Sequence, residues 1–117
     1  MQIDTKLKEN FELDDLWSRI RNFLDDVNEK GEKREIPKFD KANRLKFLDA
    51  CDSFDLQKRG VITINGLMTA FNRARLSPLP NLDQLKNLCK ALEVFNTDDF
   101  EEVNFRKILE APVNREF

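Results

Sequence analysis

Two thiols and a run of carboxylates are the groups in this sequence best suited to chemistry. Cys51 and Cys89 are the only cysteines, and Asp98, Asp99, Glu101 and Glu102 crowd one short stretch. A thiol becomes a nucleophile where a neighbouring cation or base lowers its pKa. No such arrangement surrounds either cysteine in sequence, and both fall at positions expected on buried helix faces. They read as free thiols of a reducing compartment. The carboxylate run could hold a cation loosely, but a solvated loop is the plainer reading. The chain has no histidine and no tyrosine. That removes the commonest general base and the commonest zinc ligand, and makes a Ser-His or Cys-His nucleophile pair impossible within the chain. No catalytic residue, no metal ligand set and no cofactor is expected, and the chain does not read as an enzyme.

What must position any functional group is a single domain of 117 residues, 40% apolar and 36% charged. Three glycines and four prolines are too few for a turn-rich β fold, and the dense charge suits solvated helix faces. The net charge of −2 gives no global field for nucleic acid. No apolar run is long enough to span a bilayer, so no membrane is expected. The first residues, MQIDTKLKENFELDD, lack the apolar stretch of a signal peptide, and no Asn-X-Ser/Thr acceptor occurs. A cytoplasmic location is expected. The end at Asn114-Arg-Glu-Phe117 shows no obvious stop, so the chain could be a piece of a larger protein.

Periodicity divides the chain. Residues 1–10 are polar and expected to fray. Leu13, Leu16, Trp17, Ile20, Phe23, Leu24 and Val27 form one helical stripe, predicting a helix from about Phe11 to Val27. Residues 28–40 read as a linker, with Gly31 suited to a helix stop and Pro37 opposing helix through Ile36. Between Lys30 and Lys46 lie seven basic and three acidic residues. This stretch could contact an acidic surface such as a filament or a phosphorylated partner, although a solvated linker of mixed charge is the simpler reading. Further helices are expected over about Asp40–Phe54, Asn65–Arg75, Leu82–Phe95 and Asn104–Glu110. The β-branched run Val61–Ile64 reads as a very short extended piece.

A repeat emerges within this pattern. Phe54 precedes Ile62 by eight positions, as Phe95 precedes Val103, and Leu67 and Ile108 follow five positions later. Each unit reads as a helix ending in Phe, a polar loop, a β-branched residue and a second helix. This grammar resembles the EF-hand, a helix, a calcium loop and a second helix. Asp55 matches loop position 1, Gly60 the turn glycine at position 6, and Ile62 position 8, the residue that in the family pairs with its twin. In the second unit Asn96 and Val103 match positions 1 and 8. The resemblance covers Asp40 to Glu110. It implies an all-α fold, an EF-hand-like pair preceded by an N-terminal amphipathic helix. The divisions are 1–39 for the helix and basic linker, 40–111 for the pair (hands about 44–75 and 82–111), and 112–117 for a tail. A weaker match places Asp26, Asn28, Lys30 and Gly31 as the relic of another hand, but Lys33 stands where an apolar residue belongs.

The ligand positions depart from the family. Calcium loops need oxygen donors at positions 1, 3, 5 and 12, the last a bidentate carboxylate. The first loop offers Asp55, Gln57, Arg59 and Gly66, and the second Asn96, Asp98, Phe100 and Lys107. Two cations, a phenyl ring and a glycine occupy ligand positions, so neither loop is expected to bind calcium. The resemblance therefore implies a calcium-independent structural or adaptor module, like degenerate pairs in myosin light chains and in axonemal or centrosomal EF-hand proteins. The expected partner is a protein, offered as an amphipathic helix or a filament surface, in a cytoskeletal or ciliary setting. The candidate partner-binding residues are Trp17, Phe47, Phe54, Leu67, Met68, Phe71, Leu88, Leu92, Phe105 and Ile108, many of which must also serve as core. The Trp17 helix either packs in cis on the pair or anchors a partner. The alternatives are a calcium- or magnesium-responsive sensor with atypical loops, and a regulatory domain of a larger enzyme assembly.

Overall fold

The computed structural model describes the backbone of residues 5–28, 30–96 and 100–111, with side chains from Glu12 onward. In chain order the elements are α1 (Thr5–Leu24), α2 (Asn43–Phe54), β1 (Val61–Thr63), α3 (Ile64–Arg73), α4 (Leu82–Leu92), β2 (Glu102–Asn104) and α5 (Phe105–Glu110). The fold is mostly helical with one small antiparallel sheet. The expected tail, 112–117, lies outside the described residues.

The helix α1 begins at Thr5, earlier than its apolar stripe. Lys6, Leu7, Lys8 and Glu9 are good helix formers, and propensity carries the helix N-terminal of its apolar stripe. It also stops three residues before Val27. Asp26 turns left-handed (φ 55°), its N–H donates to the Phe23 carbonyl, and the Val27 N–H donates to Asn22 O at 2.8 Å. This is a Schellman ending with aspartate where glycine is usual. Gly31, the residue expected to stop the helix, instead serves the following turn at φ 80°, donating to Asn28 O.

The start of α2 is tied to the end of α1. Ala42 at its N-cap has no capping side chain. The Asp26 carboxylate accepts from the Asn43 N–H at 3.2 Å, and Asn43 Nδ2 donates to Phe23 O at 3.0 Å. Arg34 donates from Nε and Nη2 to the same carboxylate at 3.1 and 2.8 Å. One buried aspartate thus accepts from an arginine and caps a helix that begins 17 residues later. Residues 35–42 are not helical, so no second helix follows the Asp26 loop and the relic-hand reading is overturned. The helix expected from Asp40 starts at Asn43 because Asp40 lies in a turn, donating its N–H to Pro37 O.

The sheet joins the chain between α2 and α3 to the chain between α4 and α5. Val61, Ile62 and Thr63 pair antiparallel with Asn104, Val103 and Glu102. Ile62 faces Val103, and both are buried. Thr63 caps α3 through its hydroxyl, which accepts from the Gly66 N–H at 3.0 Å. A capping box between Asn81 and Gln84 starts α4.

The second unit differs from the first before its strand. Expected to run to Phe95, α4 ends at Leu92, because Glu93 turns left-handed (φ 59°) and the Val94 N–H reaches back to Cys89 O. Val94 turns into the core at 1% exposure. The chain then folds back along β2: the Asn96 N–H donates to Glu102 O at 2.7 Å and the Asn104 N–H to Val94 O at 2.8 Å. Where the first unit has a loop closed by Asp55, the second has a small hairpin.

One continuous core joins all the helices. Phe47 of α2 stacks on Phe71 of α3, with ring centroids 4.4 Å apart. Leu16, Trp17, Ile20 and Leu24 of α1 belong to the same cluster, and α1 packs on α2 and α4.

Candidate functional site

The expected groove is an interior. Trp17, Phe47, Leu67, Phe71, Leu88, Leu92, Phe105 and Ile108 are all buried, none more than 6% exposed. Phe54 and Met68 are half-buried and pack against the core edge. These ten residues are corrected from a partner-binding surface to core and core margin. α1 contributes to this burial, because its apolar stripe belongs to the same core cluster and it packs on α2 and α4. Of the two expectations for the Trp17 helix, packing in cis is the one observed. Its seat includes a charged seam. The Arg21 guanidinium lies 5.5 Å from the Trp17 ring centroid and, with Arg44, reaches the Leu109 carbonyl near the end of α5. Asp25 lies between the two arginines, 3.5 Å from Arg21 and 3.0 Å from Arg44. Cations at a helix C-terminus complement its dipole. This seam was legible only as one hint: Arg21 stands four residues after Trp17, on the apolar stripe.

The first loop is closed by its own backbone. Asp55 is 5% exposed, and its two carboxylate oxygens accept from the N–H groups of Arg59 (2.9 Å) and Gly60 (2.8 Å). Gly60 is left-handed at φ 79°, which the tight turn requires. The Arg59 side chain crosses to Glu102, the first residue of β2, at 3.4 Å. Gly66, which the resemblance aligns with the bidentate carboxylate of a calcium loop, is crowded: a Cβ there would lie 3.2 Å from Thr63 Oγ1. In the second loop Asp98 and Asp99 lie outside the described residues. Of the rest of the acidic run, Glu102 pairs with Arg59, and Glu101 O accepts from the Ile64 N–H at 2.8 Å. Phe100 packs edge-on against Phe95 with Lys90 over its ring. Among the described residues no three acidic or thiol side chains converge as a metal site.

Both thiols are buried. Burial pushes Cys89 up to about 12 and raises Cys51 further, so neither carries thiolate at neutral pH.

The basic stretch is largely paired with carboxylates. Arg34 pairs with Asp26 and Asp40, Lys46 with Asp40, Lys41 with Asp49 and Arg44 with Asp25. Lys46 and the Lys41 N–H together hold the Asp40 carboxyl at about 2, below the usual carboxylate range. Lys30, Lys33 and Lys38 are left without a carboxylate among the described residues, and of these Lys38 lines a cleft with Phe39. Around it lie Arg73 and Arg75 from the end of α3, which sequence spacing did not bring to this place.

No family model, curated protein or solved structure matches this chain.

Chemically, the described residues offer closed loops, inert thiols and charged rims on a filled core. Among them no helix is long and apolar enough to cross a membrane.

Proposed function

We propose that residues 43–111 form an EF-hand-like pair that works without calcium, as a protein-interaction and structural module. The observation that carries this reading is the use made of Asp55. The carboxylate that would begin a calcium site accepts two backbone N–H groups, with Arg59 spanning the two loops to Glu102. Protein contacts do the bridging that a metal does in a calcium loop, and the Ile62–Val103 register supports the pairing. A module fixed in this way presents one constitutive surface rather than a switch. Because α1 already covers the apolar faces of the pair, a partner meets the outside of the domain. A filament or other folded surface suits this better than an amphipathic helix seeking an open groove.

The test is a calcium titration of the full chain by calorimetry, with Trp17 emission followed in parallel. The expected outcome is no heat and no spectral change up to millimolar calcium. Micromolar binding with a shift of Trp17 emission overturns the calcium-independent reading and makes the protein a sensor.

A further inference from the structure

We infer that the cleft between the linker and the end of α3 is a docking site for an acidic peptide segment of a partner protein, with Phe39 as its apolar anchor. The inference rests on the interaction-module reading above and names the surface and the chemistry of its partner. Phe39 is 96% exposed, more than any other large apolar side chain described. It stands in a cleft with Pro37, Lys38, Asp40, Lys46, Arg73 and Arg75. A phenyl ring so exposed gains from being covered, and aromatic and arginine side chains are the residues that most often carry binding energy at interfaces.

Charge complementarity selects the occupant. Asp40 is the only carboxylate lining the cleft, and it is already held by Lys46 and Arg34. Lys38, Arg73 and Arg75 have no carboxylate partner among the described residues. Arg73 lies over the Phe54 ring at 4.6 Å and donates to Ser53 Oγ at 3.2 Å, which orients its guanidinium without neutralising it. The backbone of Arg75 is fixed by the Schellman ending of α3, left-handed at φ 70° with the Leu76 N–H donating to Phe71 O. The Arg73 guanidinium, held against Phe54 and Ser53, can receive a carboxylate as a paired donor, which a flexible lysine does less well, and Arg75 places a second guanidinium along the same cleft. The site has a single exposed aromatic rather than the series on which nucleic-acid bases stack. It is an open cleft formed by the linker and the end of α3 rather than one basic helix face of the kind that lies on anionic lipid.

The experiment is a selection of random displayed peptides on the purified full chain. Enriched sequences are expected to place Asp or Glu beside an apolar residue. A fluorescein-labelled synthetic peptide of the enriched sequence is then titrated by anisotropy. Phe39→Ala and the pair Lys38→Glu with Arg75→Asn are each expected to weaken binding about tenfold or more; asparagine tolerates the left-handed conformation at position 75. Lys107→Glu, on α5, is expected to leave binding unchanged, and circular dichroism melting checks that each variant folds. The inference is overturned by selected peptides with no acidic bias, by no selected peptide at all, or by equal losses from Lys107→Glu and the cleft variants. Binding of poly-uridine or of phosphatidylserine vesicles without any acidic peptide being selected overturns it too, in favour of those ligands. Calcium binding in the separate titration, with the peptide result intact, overturns only the calcium-independent reading.

Discussion

At the scale of single residues, carboxylates do most of the organising. Asp26, Asp55 and Asp40 each close a loop, by accepting backbone N–H groups, basic side chains or both. For Asp40 this has a consequence in pH. Its carboxyl is held at about 2, mainly by the hydrogen bond from Lys46 and next by the Lys41 N–H. A carboxyl whose folded pKa is depressed adds stability above its unfolded value, near 3.9, and loses it as pH falls through the folded value. The tie between linker and α2 is therefore complete above about pH 4 and released toward pH 2. The carboxyl carbon of Asp40, followed by NMR, should titrate with a midpoint near 2 and move back toward 4 in Lys46→Ala. A wild-type midpoint near 4 would show that the ion pair does not persist in solution.

At the scale of elements, three helices end alike. Asp26, Arg75 and Glu93 each adopt a positive φ, and the following residue, Val27, Leu76 or Val94, donates back to close the motif. A left-handed residue with a Cβ costs about 1–2 kcal/mol relative to the right-handed form, a cost that glycine avoids. Asp26 also accepts from Arg34 and Asn43, and Arg75 lines the cleft beside Phe39, but Glu93 is exposed and has no salt bridge among the described residues. Glu93→Gly should therefore stabilise the protein by about 0.5–1 kcal/mol, after allowing for the extra freedom of glycine in the unfolded chain. A higher urea midpoint at unchanged slope would show it; a lower midpoint would mean that the Glu93 side chain contributes more than its backbone costs. These endings also mark the limit of what the sequence disclosed. The apolar stripes gave the type and order of all five helices, because burial of Leu16, Trp17, Ile20, Phe47, Phe71 and Leu88 at helical spacing is a strong signal. The β-branched Val61–Ile64 run gave β1, and spacing gave the partner of Ile62. The ends were misplaced where a charged residue took the left-handed position that glycine usually fills, so α1 and α4 were each expected to run three residues too far. The candidate site fared worse. Apolar residues at helical spacing do not say whether they face a groove or a core, and nothing in sequence brings Arg73 and Arg75 beside Phe39.

At the scale of the whole molecule, the decisive fact is that α1 shares the core of residues 43–111, the proposed pair. Trp17, Ile20 and Leu24 are each at most 2% exposed, in one cluster with Phe47, Leu67, Phe71, Leu88 and Phe105. A pair of about 70 residues buries a smaller fraction of its surface than the full chain, so α1 supplies core that the pair lacks. Truncating a buried tryptophan to alanine costs about 3–5 kcal/mol, a large share of the roughly 5–15 kcal/mol that a domain of this kind possesses. Trp17→Ala should accordingly lower the urea midpoint steeply. The wild type supplies the sharper test, because its one tryptophan reports on α1 while far-UV circular dichroism reports on every helix. If α1 and the pair fold as one unit, the two signals change with the same midpoint and slope. If α1 were a detachable arm, Trp17 emission would shift to the red at lower urea while most of the helical signal remained. The pair would then expose Phe47, Leu88 and Phe105, and the buried faces assigned here to the core would again be a surface for a partner's helix. Coincident transitions would instead fix the outside of the domain as the place where partners meet it.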